Sequence, residues 1–286
     1  MGSDILESIM IDDQGNHLEM VQLHDHGFVK LLDVMGDDQE VENAARISYG
    51  EGTRKVSQTR NLIRYLMRHK HTSPFEMCEV KFHLKLPIFV MRQLVRHRTA
   101  NLNEYSGRHS VMSNEYYLPQ ADYLQKQSTT NNQGRNEVLP NKGSLHFEFN
   151  RVYDTAQITY ENLLEEDLAR ELSRVVLPVA NYTECIWKID LHNFFHFVRL
   201  RSDSHAQREI RDYSDAMYEL VKPKFPLCCE AFEDYVRDAV TFSKHEMELI
   251  REAIWDGRGG LQESEHLGKR ETKEFLEKLE VKGEPE

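Results

Sequence analysis

The chain has 286 residues, of which 40% are apolar and 29% charged, enough to bury a hydrophobic core in one or two domains. Its 36 basic and 48 acidic residues give a net charge of −12, which argues against a nucleic acid or an anionic membrane as partner. No apolar run approaches the roughly 20 residues of a membrane span. The N-terminus lacks the basic flank and apolar stretch of a secretory signal. We therefore expect a cytoplasmic protein.

Two segments are predicted to form strands. In residues 79–86, apolar side chains alternate with charged or polar ones over eight positions, which predicts one buried and one solvated face. Residues 28–34 give a weaker strand signal. Cys78, next to the first of these strands, is expected in the core. Because the four cysteines form no CxxC pair, we expect all of them reduced and buried.

Helices are predicted in most other segments. They cover residues 57–68, a stretch that opens at Pro87, and residues 149–163, where apolar residues recur at steps of three and four. Another helix is predicted to begin near Ser204, where Ser204 and Gln207 fit a capping box, and to stop before Pro223. The sum is a helix-rich α+β fold with a small, mostly antiparallel sheet packed against long helices.

The chain is predicted to form a single α+β domain over residues 1–255 and a charged tail over 256–286. Within the domain, residues 125–143 have almost no apolar content and are predicted to form a surface loop. In the tail, Phe275, Leu276 and Leu279 would support at most one marginal helix. No GxGxxG, GxxxxGK[ST], HExxH or GxSxG motif is found, so a nucleotide or cofactor would need another architecture.

Residues 87–112 concentrate positive charge in an acidic chain. Between 87 and 108, four arginines face one acidic residue, a local charge of +3. A helix C-terminus alone would explain Arg92, because cations complement the helix dipole. It does not explain Arg96, His97 and Arg98 in a row. Guanidinium groups bind phosphate in a bidentate way, and the amide, carboxylate and hydroxyl groups that follow suit a base or a sugar. This mixture predicts a nucleotide site, with Gln93, Arg96 and His97 on one side of the last helical turn.

Two further segments carry histidines. Residues 69–76, HKHTSPFE, are predicted to form a loop that leads into the strand at 79. In residues 190–205, His192 and His196 are four apart on a predicted helix, a spacing that can hold a metal with Asp190 or His205. The simpler interpretation is that the neighbouring phenylalanines pack and the histidines lie at the core rim. Desolvated arginines at 199 and 201 would need an anion or a carboxylate.

The triplet Arg96-His97-Arg98, followed after seven residues by Ser106, gives the pattern RHRx7S. With the ordered blocks HTSPFE, RVVLP and LRSDSHAQ, this pattern resembles the flavin-dependent thymidylate synthase family over roughly residues 28–235. The resemblance implies homotetramers of α+β subunits with FAD at the subunit interfaces. It further implies a methyltransferase that makes dTMP from dUMP, with methylenetetrahydrofolate as the carbon donor and NADPH as the reductant of the flavin.

The resemblance also implies roles for individual residues. The residues expected to contact FAD are His71, Ser73, Arg96, His97, Arg98, Glu104, Asp190, His192 and His196. The last three depart from the residues that many family members carry, asparagine, arginine and asparagine. Those expected to hold dUMP are Gln93, Arg96, Glu104, Tyr105, Ser106, Gly107, Arg108, Arg174 and Arg201. Arg201 is the implied catalytic residue, a cation that favours ionised uracil and so makes ring carbon 5 nucleophilic. Ser106 lacks an adjacent general base, so we expect a binding hydroxyl instead of a nucleophile.

Two other functions compete with this one. A metal-dependent nucleotide hydrolase would use His69, His71, Asp190, His192 and His196, although few carboxylates lie near these histidines in sequence. A non-catalytic nucleotide-binding or assembly protein with a decayed site is the third possibility. The intact Arg96, His97, Arg98 and Ser106 argue against it.

Overall fold

The computed structural model describes residues 9–11, 17–47, 59–129, 134–255 and Leu276. The strands of these residues are β1 (Ile9–Ile11), β2 (His17–Leu23), β3 (Gly27–Met35), β4 (Glu79–Pro87), β5 (Asn101–Glu104), β6 (Gln125–Gln127), β7 (Arg135–Val138) and β8 (Tyr182–Asp190). Six of them form one sheet in the order β1-β2-β3-β4-β8-β5, with every neighbouring pair antiparallel. Strands β6 and β7 pair in a separate hairpin.

Helices make up most of the remaining structure. They are α1 (Asp38–Arg46), α2 (Thr59–Arg68), α3 (Ile88–Leu94), α4 (Lys142–Glu165), α5 (Arg170–Ser173), α6 (Leu191–Arg201), α7 (Arg208–Val221), α8 (Pro226–Phe232) and α9 (Lys244–Trp255). This arrangement confirms the predicted α+β class with a small antiparallel sheet. No helix of the described residues combines the length and apolar composition that crossing a membrane requires.

Strand β4 is the centre of the sheet, as its alternation predicts. Its residues pair with β3 on one side and β8 on the other, and Phe82, Leu84 and Leu86 are buried. Helix α6 covers this buried face, with Phe194 stacked on Phe82 at 5.8 Å between ring centroids. Helix α7 is tied to the same strand because the Tyr213 hydroxyl donates to the Lys85 carbonyl at 2.6 Å. The functional segments at the ends of β4, β8 and α6 therefore rest on one core.

Helix α4 forms where predicted, but its apolar series is only partly buried. Tyr160 is fully buried, whereas Val152 is 51% and Phe149 36% exposed. The predicted buried face is therefore wrong for the first half of the helix. The periodicity correctly predicts the helix, whose first half exposes these apolar side chains.

Three boundaries differ from the sequence predictions. Helix α3 ends at Leu94, so Arg96 and His97 lie beyond its last turn and not within it. Helix α7 begins at Arg208, and Gln207 at its N-cap makes no side-chain capping bond, so the predicted capping box is wrong. The loop at 125–143 contains the β6–β7 hairpin and the start of α4. In each case contacts with distant residues decide the local geometry, as shown below.

The chain divides into two compact units, Met1–Phe232 and Glu233–Glu286. The described part of the second unit contains the short π-helix Glu233–Arg237 and α9. The predicted division into a domain to residue 255 and a charged tail stays a prediction, and the marginal tail helix lies outside the described residues apart from Leu276. All four cysteines are buried free thiols, as expected.

Candidate active site

The end of α3 and the turn after it meet the guanidinium of Arg201, at the C-terminal end of α6. Its Nε donates to Nε2 of His97 at 3.0 Å. Its Nη1 donates to Oε1 of Gln93 at 3.5 Å, and its Nη2 donates to the Gln93 carbonyl at 3.3 Å. The His97 ring is supported by an edge contact with the buried Phe197, 5.0 Å away. We call Gln93, His97 and Arg201 the Arg201 cluster.

The electrostatics of the Arg201 cluster are those of an anion site. Burial, followed by the charge of Arg201 and then by His196, lowers the pKa of His97 to about 4. His97 is therefore neutral near pH 7, and the bond from Arg201 places its proton on Nδ1. Burial and then the neighbouring Arg96 also lower the pKa of Arg201. In the described chain, no carboxylate forms an ion pair with Arg201, so the acceptors that hold this cation are all neutral.

More cations surround this cluster. Arg92, Arg96, Arg98 and Arg199 have exposed side chains. Within the residues that the structure covers, none of the four is in an ion pair. In a chain with a net charge of −12, such a group of uncompensated arginines indicates a site for a negatively charged ligand.

A second group of site residues follows the edge strand β5. The Tyr105 backbone N–H donates to the Glu184 carbonyl at 2.8 Å, and the chain then turns at Ser106, whose carbonyl accepts from His109 N and Ser110 N. A Cβ on Gly107 would lie 2.8 Å from Sδ of Met112 and 3.1 Å from Cδ of Arg174. The structure therefore brings Arg174 directly against this turn. We call residues 104–108 together with Arg174 the Gly107 cluster.

Side chains of the Gly107 cluster are mostly exposed. Glu104 accepts from the Thr183 hydroxyl of β8 at 2.9 Å, and Arg108 pairs with the exposed Glu171 at 2.9 Å. The Ser106 hydroxyl accepts from Arg108 N at 3.4 Å. Among the described residues no histidine or carboxylate bonds to that hydroxyl, which agrees with a binding serine and not with an activated nucleophile.

The remaining predicted site residues lie in two places. His71 and Ser73 are exposed on the loop before β4, where the His71 ring makes an edge contact with Tyr65 at 5.7 Å. The carboxylate of Asp190 is the N-cap of α6, accepting from Asn193 N at 2.9 Å and from its amide at 2.7 Å. It thereby fixes the first turn of the helix that carries His192 and His196. The His196 and His97 rings lie 6.2 Å apart.

The part of the chain that is described contains no group of three His, Cys, Asp or Glu side chains placed to hold a metal ion. It also contains no hydrogen bond or ion pair between a member of the Arg201 cluster and a member of the Gly107 cluster. Within one described chain, the two clusters of predicted dUMP residues therefore make no direct polar contact with each other.

Sequence reasoning missed three residues next to the Arg201 cluster. Gln207 hydrogen-bonds to Gln93, Glu209 hydrogen-bonds to Gln207, and Arg135 pairs with Glu209. One signal was available, because Glu209 occupies the apolar stripe of α7, four residues before Tyr213. A carboxylate at a core position needs a partner.

Comparisons with known proteins identify the family to which the chain belongs. The family described as thymidylate synthase complementing protein matches residues 30–227. The chain belongs to this flavin-dependent thymidylate synthase family. It is 48% identical over 282 residues to a flavin-dependent thymidylate synthase of Ehrlichia ruminantium (strain Gardel), covering 98% of this chain and 95% of that protein. It is 47% identical over 276 residues to the Dictyostelium discoideum enzyme of the same name, covering 93% and 88%.

A solved structure shares the fold. It is the UMP/dUMP methylase PolB from Streptomyces cacaoi bound with 5-Br dUMP, with a TM-score of 0.69 and 32% identity, covering 76% of this chain and 98% of that one. The predicted family is confirmed, and with it the prediction of a flavin-dependent methyltransferase.

Proposed function

We propose that the chain converts dUMP to dTMP, with methylenetetrahydrofolate as the carbon donor and with FAD and NADPH as the redox pair. The observation that carries this proposal at the level of residues is Arg201. Its guanidinium is held by neutral acceptors and meets no carboxylate of the described chain. It is thus a fixed cation that is available to an anionic substrate.

Arg201 is the proposed catalytic residue. A fixed cation beside the uracil ring stabilises the negative charge that forms when the ring loses its N–H proton, which raises the electron density at carbon 5. The bonds from His97 and Gln93 set the direction of the guanidinium beforehand, so little reorganisation is needed when charge develops. Gln93, Arg96 and the residues of the Gly107 cluster are proposed to bind dUMP, with Arg108 and Arg174 supplying positive charge for its phosphate.

The residues proposed to contact FAD fit a dinucleotide with a pyrophosphate and a planar ring. The arginines Arg96 and Arg98 are exposed and unpaired in the described chain, and His71 lies beside the exposed aromatic side chain of Tyr65. Ser73, His97, Glu104, His192 and His196 complete the set. The Asp190 side chain is committed to the α6 cap, so we propose that it contributes through its backbone. When bound, the flavin supplies the hydride after reduction by NADPH.

A homotetramer is proposed because the chain exposes many apolar side chains near the site. On α4, Phe147 is 64% and Ile158 57% exposed, and after α5 Val175 is 74% and Val179 58% exposed. Further copies of the chain would cover these side chains and would bring a Gly107 cluster to an Arg201 cluster. The four buried free thiols suit a reducing compartment, and we propose the cytoplasm.

The first test is the visible absorbance spectrum of the purified protein, followed by anaerobic addition of NADPH with and without dUMP. We expect flavin bands that bleach with NADPH, and dTMP once methylenetetrahydrofolate is added. Light scattering during gel filtration gives the mass of the assembly in the same samples. A protein that neither takes up FAD nor responds to NADPH would contradict the proposal, and nucleotide binding without flavin reduction would favour a decayed enzyme.

A further inference from the structure

Glu209 is a buried carboxylate that the proposed reaction does not use. It is 2% exposed, at the first turn of α7. It accepts from the Tyr117 hydroxyl at 2.9 Å, from Nη2 of Arg135 at 3.0 Å and from Nε2 of Gln207 at 2.9 Å. Burial acts to raise the pKa of Glu209, but Arg135 and the hydrogen bonds outweigh it and lower the pKa. Glu209 is therefore ionised near pH 7.

An ionised carboxylate has no proton to donate, and this fixes the direction of the hydrogen bonds that start from it. Gln207 has to present its Nε2 to Glu209, so its Oε1 faces the other way. That Oε1 accepts from Nε2 of Gln93 at 2.6 Å. The Gln93 amide is thereby turned so that its own Oε1 faces Nη1 of Arg201.

The opposite amide orientation would disrupt the Arg201 cluster. If Gln93 were flipped, its NH2 group would face the guanidinium, donor against donor. Amide groups ordinarily exchange between the two orientations at low cost, but here the buried charge selects one of them. Arg135, which keeps Glu209 ionised, comes from the β6–β7 hairpin, in the polar segment predicted to be a surface loop.

We propose that Glu209 is a positioning residue for Arg201, acting through the amides of Gln207 and Gln93, and that the β6–β7 hairpin supports it through Arg135. The proposal rests on the role of Arg201 in the proposed function. It assigns three residues outside the predicted site to the reaction with dUMP, and none of them to the reduction of the flavin.

Gln207→Ala is the variant that tests this proposal, because the Gln207 side chain is exposed and its loss leaves no cavity in the core. We expect kcat/KM for dUMP to fall about tenfold, the upper end of what one hydrogen bond contributes. The rate of flavin reduction by NADPH without dUMP and the flavin content should stay at the wild-type values, whereas Tm should fall slightly, because the buried Glu209 loses one of its hydrogen-bond donors. Glu137→Gln is the control on the β6–β7 hairpin, which carries Arg135. This variant removes only the exposed partner of Lys126.

Glu209→Gln and the double variant show whether the residues act in series. If Glu209 and Gln207 act in series, kcat/KM for dUMP in the double variant falls no further than in the more affected single variant. If they act independently, the two fold-losses in kcat/KM multiply. If wild-type protein forms no dTMP, the proposed function itself fails. If the wild type is active and Gln207→Ala keeps its dUMP kinetics, the positioning role is wrong. The positioning role is also wrong if Gln207→Ala loses flavin reduction, thermal stability and dTMP formation to the same extent. It is likewise wrong if the losses in kcat/KM of the two single variants multiply fully in the double variant.

Discussion

The Arg201 cluster and the Gly107 cluster differ in what holds their side chains. In the first, Gln93 at the end of α3 and His97 in the turn after it are joined to Arg201 of α6 by hydrogen bonds. In the second, Gly107 is buried by close packing on Met112 and Arg174, whereas the arginine at 108 reaches only an exposed carboxylate. The cation of the first cluster is therefore oriented before a ligand binds, whereas the Arg108 cation of the second is held only by an exposed ion pair.

This difference separates two kinds of contribution. A cation that is already oriented stabilises developing charge without reorganisation, so its removal should lower the rate of the chemical step. An exposed arginine on a turn contributes to affinity, and its contribution depends on salt. Variants in the two clusters should therefore affect different kinetic constants.

The largest effect is expected for Arg201→Ala. Removing the fixed cation should lower the rate of dTMP formation by at least about 10²–10³-fold, the loss typical of one preorganised electrostatic group. Flavin reduction by NADPH should persist. A radiolabelled or chromatographic assay of dTMP measures the first, and anaerobic stopped-flow absorbance measures the second.

Arg151→Ala is the control for that variant, because Arg151 is an exposed arginine of α4 paired with Glu148. It should keep the wild-type rate of dTMP formation. Wild-type turnover by Arg201→Ala would remove the catalytic role from this residue.

Strand β4 could be predicted from its own residues, whereas the role of Arg201 came from the resemblance to a known family. The alternation of β4 reflects one buried and one solvated face, so it is visible locally. Strand β8 was missed because its alternation is blurred, since Thr183 is buried and Ile186 is 36% exposed. Its place between β4 and β5 is a property of the sheet and not of the segment.

The parts of the site that sequence reasoning missed depend on long-range partners. The spacing of Ser204 and Gln207 is typical of a capping box, but Gln207 instead bonds to Gln93, 114 positions earlier. The β6–β7 hairpin in residues 125–143 is likewise held in place by the ion pair between Arg135 and Glu209. A local pattern describes what a segment prefers by itself, and these side chains are decided by a contact that only the folded chain provides.

The second-largest effect is expected for Gly107→Ala. The added Cβ would lie 2.8 Å from Sδ of Met112 and 3.1 Å from Cδ of Arg174, so one of these flexible side chains has to move. We expect the KM for dUMP to rise about tenfold, the equivalent of about 1.4 kcal/mol of binding free energy, because a displaced Arg174 would meet the substrate phosphate less well. Because Arg201 is untouched, kcat should change far less.

Gly143→Ala is the matched control, because a Cβ at this helical glycine meets nothing within 4 Å. It should leave the dUMP kinetics unchanged. Equal KM values for Gly107→Ala and wild type would show that the turn and Arg174 do not contact the substrate.

A smaller effect is expected from the neutral His97 of the Arg201 cluster. Its pKa is about 4 in the folded chain, against an ordinary value near 6.5 when unfolded. As the pH falls through that window the unfolded chain takes up a proton that the folded chain does not, so the folded state loses stability. In His97→Asn this proton uptake by the unfolded chain is absent. The decrease in Tm between about pH 7 and pH 5 should therefore be smaller for this variant than for the wild type.

Because His97 is only half-buried, solvent screening limits the difference to about 2–4 °C. Thermal unfolding of both proteins, saturated with FAD, measures it. Between about pH 7.5 and 8.5, histidine is neutral in both the folded and the unfolded chain. The Tm of the two proteins should therefore change by the same amount over this range. Parallel curves across the whole range would show that His97 is not held neutral by its surroundings.

The smallest effect is expected at the exposed end of the Gly107 cluster. If Arg108 binds the phosphate of dUMP, Glu171 competes with the substrate for it, and Glu171→Gln should lower the KM for dUMP. An exposed ion pair contributes at most about 1 kcal/mol, so the decrease should be about two- to threefold at low salt and disappear at high salt. Glu148→Gln, which releases the exposed Arg151 instead, should not change the KM. A rise in KM would mean that Glu171 holds Arg108 in its binding orientation, and the two clusters would then both be preorganised.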